Sequence, residues 1–161
     1  MAYTINLYPT SDISLNHDPK SGSTGYNMIN EEQPDGSSTY ISQTLSTSNS
    51  TETSQFNCAV SSNDASKPAG KIKIRSVKVV TYWTTVTSAN SVNGTLTPGV
   101  ALGNGSYTSG ASASKTNTSE NYNTATETNI SNLPEVGEVY ENIDALNLKL
   151  QISTSGRYTS N

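Results

Sequence analysis

The chain has 161 residues, of which 32% are hydrophobic and 14% charged, and its formal net charge is −4. That length suits one core rather than two, and the acidic balance lacks the basic footprint that grips a phosphate backbone, so nucleic acid is not an expected ligand. No apolar run approaches a membrane span, Met1–Leu7 lacks the regions of a signal peptide, and Cys58 is the only cysteine, which together point to synthesis in a cytoplasm with no membrane segment and no internal disulfide.

Ser, Thr and Asn together make roughly two-fifths of the sequence, a bias that fits either disorder or a β-sheet protein with polar outward faces. Nine Tyr, with abundant Thr, Val and Ile, favour the sheet, because aromatic and β-branched side chains suit a pleated surface. A single antiparallel β-sandwich over residues 1–161 is therefore expected.

Taken in order, Tyr3, Ile5 and Leu7 alternate with polar residues and read as a first strand ending before Pro9. Thr10 to Gly25 reads as a loop with a short extended piece at Ile13 and Leu15. Gly25–Ile29 is a second strand candidate, Gln33-Pro34-Asp35-Gly36 a turn, and Thr39-Tyr40-Ile41 the start of another strand. Ser46–Ser54 reads as a connector. Phe56, Cys58 and Val60 then share one face, which makes Cys58 a small buried hydrophobe. Ser61–Gly70 is a loop.

Lys71–Trp83 carries the strongest pattern. Ile72 and Ile74 have one parity and Val77, Val79, Thr81 and Trp83 the other, so a bulge near Arg75 and Ser76 would keep both sets inside a central strand, with Trp83 anchoring the core. Ser88–Asn129 has few large aliphatic residues, and strands there are expected to be shallow, with Tyr107 and Tyr122 semi-buried. Val139–Leu146 fits one turn of helix, after which Leu146, Leu148, Leu150 and Ile152 alternate as a late strand.

The order of an Asn-Glu-Glu-x-Pro-Asp-Gly turn leading into Thr-Tyr-Ile (Asn30–Ile41), Phe56, the Ile-x-Ile-x-Ser-Val-x-Val run of Ile72–Val79, and Ile-Asp-Ala-Leu leading into an alternating strand (Ile143–Ile152) resembles a jelly-roll family of tailed-bacteriophage structural proteins. The resemblance implies a jelly-roll-like sandwich that serves as head decoration, head fibre or tail-associated module. It implies a virion location, a bacterial host cytoplasm for synthesis, and the major capsid protein or tail proteins as partners. The family's final apolar strand has no counterpart after Arg157-Tyr158-Thr159-Ser160-Asn161. The face of Leu146, Leu148, Leu150 and Ile152 is then expected to form an open edge, covered by self-association, with a trimer the leading form.

Other residue groups have simpler readings. His17 with Asp12, Asn16 and Asp18 offers oxygen ligands for a hard cation, but the spacing is irregular and the residues suit a turn, so no metal is expected. Glu31, Glu32 and Asp35 are better read as a solvated acidic turn than as a glycosidase pair. One His and one Cys in unrelated contexts supply no nucleophile and base, so neither an enzyme nor a cofactor is expected. The Asn-x-Ser/Thr triplets at Asn49, Asn93, Asn104, Asn117 and Asn129 follow from composition. Tyr107, Tyr122 and Tyr140 could stack on sugar rings, which makes a cell-surface glycan the alternative ligand, or could instead fill a thin core.

Overall fold

The computed structural model describes residues 4–15, 18–19, 25, 29, 40–42, 51–62, 72–85, 91–103, 105–116, 124–131, 139–140 and 146–157. Its strands are β1 (Tyr8–Leu15), β2 (Asp18–Pro19), β3 (Ile41–Ser42), β4 (Thr51–Ser61), β5 (Ile72–Lys73), β6 (Val77–Tyr82), β7 (Ser91–Leu102), β8 (Thr108–Ser109), β9 (Ala113–Thr116), β10 (Ala125–Ile130), β11 (Val139–Tyr140) and β12 (Leu146–Arg157). All pairings are antiparallel and no helix occurs among the described residues, so the expected all-β sandwich is what the chain forms.

Period-two alternation explains the largest element. In β4 the buried positions are Ser54, Phe56, Cys58 and Val60, every second residue, and Phe56 and Cys58 are fully buried. β12 pairs with β4 so that Leu148 faces Cys58 and Leu150 faces Phe56, and on its other side pairs with β7 so that Leu150 faces Pro98 and Ile152 faces Leu96. One face of three long strands is thus apolar. β1 adds to the far side of β4, while β8 and β9 add to the far side of β7, giving a six-stranded sheet in the order β1-β4-β12-β7 with β8 and β9 beside β7.

The opposing layer is built from the apolar run that carried the strongest sequence pattern. β6 pairs with β10, with Val77 against Ile130 and Val79 against Thr128, and this two-stranded sheet turns Val79, Thr128 and Ile130 inward. Ile74, Val79 and Ile130 join Phe56, Leu96, Val100, Leu146 and Leu150 in one core cluster. Each such side chain, fully buried, contributes about 1.5–3 kcal/mol by removal from water.

Two glycines set how closely the layers approach. A Cβ on Gly110 would collide with Thr128 Cγ2 and stand 3.0 Å from Ile130 Cγ1, and a Cβ on Gly94 would stand 2.5 Å from Thr85 Cγ2 and 3.3 Å from Trp83. Gly110 lies in a bulge, since Gly110, Ala111 and Ser112 oppose only Thr97 and Pro98 between the Gly99–Ser109 and Leu96–Ala113 pairs. Gly110 N donates to Pro98 O at 2.8 Å, so the side of Pro98 that lacks an N–H faces this irregular ribbon and not β12.

Several expectations are corrected. Thr4–Leu7 is not a strand; β1 begins at Tyr8 and includes Pro9, which an edge strand tolerates where a central one would not. Thr10–Leu15, read as loop, belongs to β1. The Lys71–Trp83 run is not the central strand: it divides at Ile74–Ser76 into β5 and β6, which pair with β11 and β10 in separate two-stranded sheets. The parity break was real, but it separates two strands instead of bulging one.

The stretch from Ser88 to Asn129 is not shallow, because β7 runs through it for 12 residues with Leu96, Val100 and Ala101 buried. Val139 and Tyr140 form β11 rather than a helical turn; residues 141–145 lie outside the described set. Trp83 is partly rather than fully buried. Finally, Leu146–Ile152 is not an open edge. β12 is hydrogen-bonded on both sides, to β4 and β7, and Leu146 and Leu150 are core residues. The Gly25–Ile29 strand candidate is described only at its two ends, and the Gln33–Gly36 turn lies outside the described residues.

Candidate functional site: the polar face of the large sheet

Because the pleat alternates, the residues between the core positions of β4, β12 and β7 all emerge on the opposite face of the six-stranded sheet. On β4 these are Thr53, Gln55 and Asn57, on β12 Lys149, Gln151 and Ser153, and on β7 Asn93, Thr95 and Thr97. Of these, Thr53 and Asn93 are exposed and the others half-buried. The residues of this face are hydroxyls and amides, with Lys149 the one ionisable group among those positions.

Side-chain hydrogen bonds join these residues from strand to strand. Gln55 Nε2 donates to Gln151 Oε1 at 3.1 Å, and the hydroxyls of Thr53 and Ser153 are 3.1 Å apart. Between β7 and the β9 ribbon the hydroxyls of Thr95 and Ser114 are 3.0 Å apart and those of Thr97 and Ser112 2.8 Å apart, while Thr116 Oγ1 donates to Asn93 Oδ1 at 2.6 Å. Each pair contributes modestly, roughly 0.2–1 kcal/mol, but together they hold the side chains in ordered rows across the strands. Hydroxyls donate and accept, so either partner of a pair can turn to a third group.

The rows end at a different kind of corner. Gly99 has no side chain, and a Cβ there would stand 3.3 Å from Lys149 Cε, so its absence gives the lysine stem a seat on the sheet. From that seat Lys149 Nζ lies 5.4 Å from the centroid of the Tyr107 ring, within cation–π range. Burial raises the Tyr107 phenol above its ordinary value, with the Cys58 thiol adding to the effect. Asn57 stands opposite Lys149; its Nδ2 donates to Ser14 Oγ at 2.6 Å, whereas its Oδ1 is buried without a protein partner.

The opposite face holds the titratable groups of chemical interest, in a form unsuited to reaction. Desolvation pushes the Cys58 thiol up to about 12, and the neighbouring Asp12 carboxylate pushes it the same way. A thiol held protonated is a packing group, not a nucleophile. Asp12 accepts from Gly25 N at 2.8 Å, which ties the chain beyond β1 back to the sheet edge.

Of the residues singled out from sequence, Tyr107 lies on this polar face, and Tyr140 lies in β11 opposite Ile72. Tyr122 lies outside the described residues, as do His17, Glu31, Glu32 and Asp35. Leu146, Leu148, Leu150 and Ile152 stand on the inner face, Leu148 and Ile152 partly buried against the core. Sequence reading passed over the rows themselves. Their parity was visible in Thr51-x-Thr53-x-Gln55, Thr95-x-Thr97 and Gln151-x-Ser153-x-Ser155, but only strand register shows that these stretches are neighbours.

Fold and face together define an antiparallel β-sandwich with one hydrogen-bonding sheet surface on which Lys149 is the one ionisable group among the positions named. Comparison with known proteins finds no matching family model, no similar curated protein and no similar solved structure.

Proposed function

We propose that the protein is a non-enzymatic structural subunit displayed on a virion, a capsid decoration or head-fibre protein of a tailed phage. The observation that carries this reading is the outer face of the six-stranded sheet, whose hydroxyls and amides pair with one another across the β4–β12 and β7–β9 seams. Such a face is solvated mainly by hydroxyls and amides and suits a protein that stands on a particle surface. The unreactive Cys58 thiol fits a structural role.

The partner is the major capsid protein or a tail protein, together with further copies of the chain in a closed symmetric group, for which a trimer remains the leading form. Such contacts would use faces and not sheet edges. β1 carries register shifts at Pro9/Ser11 and Asp12/Ser14, and the β8–β9 ribbon is broken by the Gly110–Ser112 bulge, so both margins of the large sheet are poor templates for strand addition. A cryo-EM map of purified particles, with mass spectrometry of their proteins, tests the proposal. The expected result is density for this sandwich on the head or tail surface; particles lacking the protein would overturn it.

A second reading, a receptor-recognition module that binds a cell-surface glycan, is favoured by Tyr107 and Lys149 beside the hydroxyl rows.

A further inference from the structure

We infer that the outer face of the six-stranded sheet binds a linear, uncharged glycan laid across the strands, with its units in step with the rows of side chains. The inference deepens the glycan reading and rests on it, and it centres the site on the hydroxyl and amide rows, with Tyr107 the one member of the expected tyrosine trio beside them.

Three observations lead there. The first is spacing. Neighbouring strands lie about 4.8 Å apart, close to the length of one pyranose unit in a linear chain. A row such as Thr53, Ser153, Thr95 and Ser114, from β4, β12, β7 and β9, therefore offers one hydroxyl per sugar residue. The row above it, Gln55, Gln151, Thr97 and Ser112, repeats the pattern two residues along each strand, so a chain lying between the rows meets hydrogen-bonding groups on both sides.

The second is chemistry. Sugar hydroxyls both donate and accept, and they are matched by groups that do the same. Each hydroxyl pair on this face is mutually satisfied when empty, with either oxygen able to donate, so one partner can rotate toward a ligand without leaving a buried group unpaired. The mid-face rows carry no ionised group, which favours an uncharged chain over one bearing carboxylates or sulfates. The two ends of the first row, Thr53 and Ser114, are exposed, so a longer chain can run past them on either side.

The third is the corner formed by Asn57, Lys149 and Tyr107. Asn57 stands opposite Lys149 with its Oδ1 buried, and Tyr107 presents a partly exposed ring beside the lysine. This corner gives one side of the face an aromatic wall, against which the apolar side of a sugar ring can rest. Among the described residues, the outer face of the opposite sheet carries the Lys78–Glu127 ion pair and an exposed Val80.

The test is a titration of the full chain with linear oligosaccharides of two to six units, using cello-, malto- and chito-oligosaccharides as uncharged probes and hyaluronate oligomers as the charged one. Amide chemical shifts are followed by NMR. Uncharged oligomers are expected to bind, with affinity rising up to about four units, the number of strands in a row, and levelling beyond. Shifts should centre on Thr53, Gln151, Ser153, Thr95 and Thr97. Thr95→Lys and Gln151→Ala, both at half-buried positions on this face, are expected to weaken binding roughly five- to tenfold. They should lower the folding equilibrium constant by no more than about fivefold, or about 1 kcal/mol, the loss of one cross-strand pair, whereas Val80→Ser on the other sheet leaves binding unchanged.

Saturable binding whose shifts map elsewhere would overturn the assignment of the site while leaving the glycan reading standing. Preference for hyaluronate would overturn the uncharged-chain assignment while leaving the glycan reading standing, and absence of binding by every probe would overturn both. The virion location is read separately from particles, so its failure is not confused with either.

Discussion

At the level of single residues, burial decides which chemistry is available. The Cys58 thiol, raised from 9.0 to about 12, stays protonated in the folded protein at pH values where the unfolded thiol ionises. Because the folded value is the higher one, this group's contribution to stability is complete below pH 9 and is lost as the pH rises toward 12. Denaturant titrations across that interval should show a steeper alkaline fall for the wild type than for Cys58→Ala, and native Cys58 should resist thiol reagents that label it at once in denaturant. Some of the fall will remain in the variant, since the Tyr107 phenol is also raised.

Trp83 presents a different case. Its Nε1 donates to Thr126 Oγ1 at 3.0 Å on the second sheet, its ring lies against Gly94 on the first, and Lys115 Nζ stands 4.9 Å from the ring centroid and donates to Trp83 O. Burial lowers the Lys115 ammonium below its ordinary value. As the indole is only partly buried, Trp83→Ala should cost about 2–3 kcal/mol, less than the emptying of a closed aromatic site, as read from chemical denaturation. The Lys78–Glu127 pair, at 3.0 Å but roughly half exposed on both sides, should matter far less: Glu127→Gln is expected to change stability by under about 1 kcal/mol.

Among the elements, the bulge at Gly110 is the one on which the two layers depend. Gly110→Ala places a methyl against Thr128 Cγ2 and should destabilise by about 1–3 kcal/mol, and adding Thr128→Ser, which removes that methyl, should recover part of the loss. A double-mutant cycle by thermal or chemical unfolding measures the coupling. The elements also show what sequence could and could not reveal. Phe56, Cys58 and Val60, and Leu146 through Ile152, declared their strands and their inner faces by strict alternation. The parity break after Ile74 was legible as well.

What alternation could not supply was the partner of each strand. Ile72–Trp83 is the most apolar stretch, and apolar content suggests the centre of a sheet; yet the centre belongs to β12, whose leucines are matched by the sparser Leu96, Pro98 and Val100 of β7. β7 looked shallow because Gly94, Pro98, Gly99 and Ala101 occupy positions where the sheet needs close approach rather than bulk. The candidate site was hidden for the same reason. Thr, Ser and Gln at alternate positions are ordinary solvent-facing residues until register sets four strands of them side by side.

For the molecule as a whole, a strand flanked on both sides should open last. Amide exchange is expected to be slowest at Leu148, Leu150 and Ile152 and faster in β1, which has a single neighbour and two register shifts. Exchange mass spectrometry checks this, and an unprotected β12 would mean that the sheet order is wrong. The position of β12 also bears on how the protein reaches its native state. The side chains of Thr53 and Ser153 that meet across its seam with β4 are 100 residues apart along the chain. β4 and β7 are made much earlier, yet they have no ladder with each other, and each waits for β12 to arrive between them. Closing so long a loop is entropically unfavourable until the new ladder offsets it, which places this protein among slow folders of high contact order. During synthesis the apolar faces of β4 and β7 therefore emerge before the strand that joins them, and a ribosome-bound chain lacking β12 is the form most exposed to aggregation or chaperone capture.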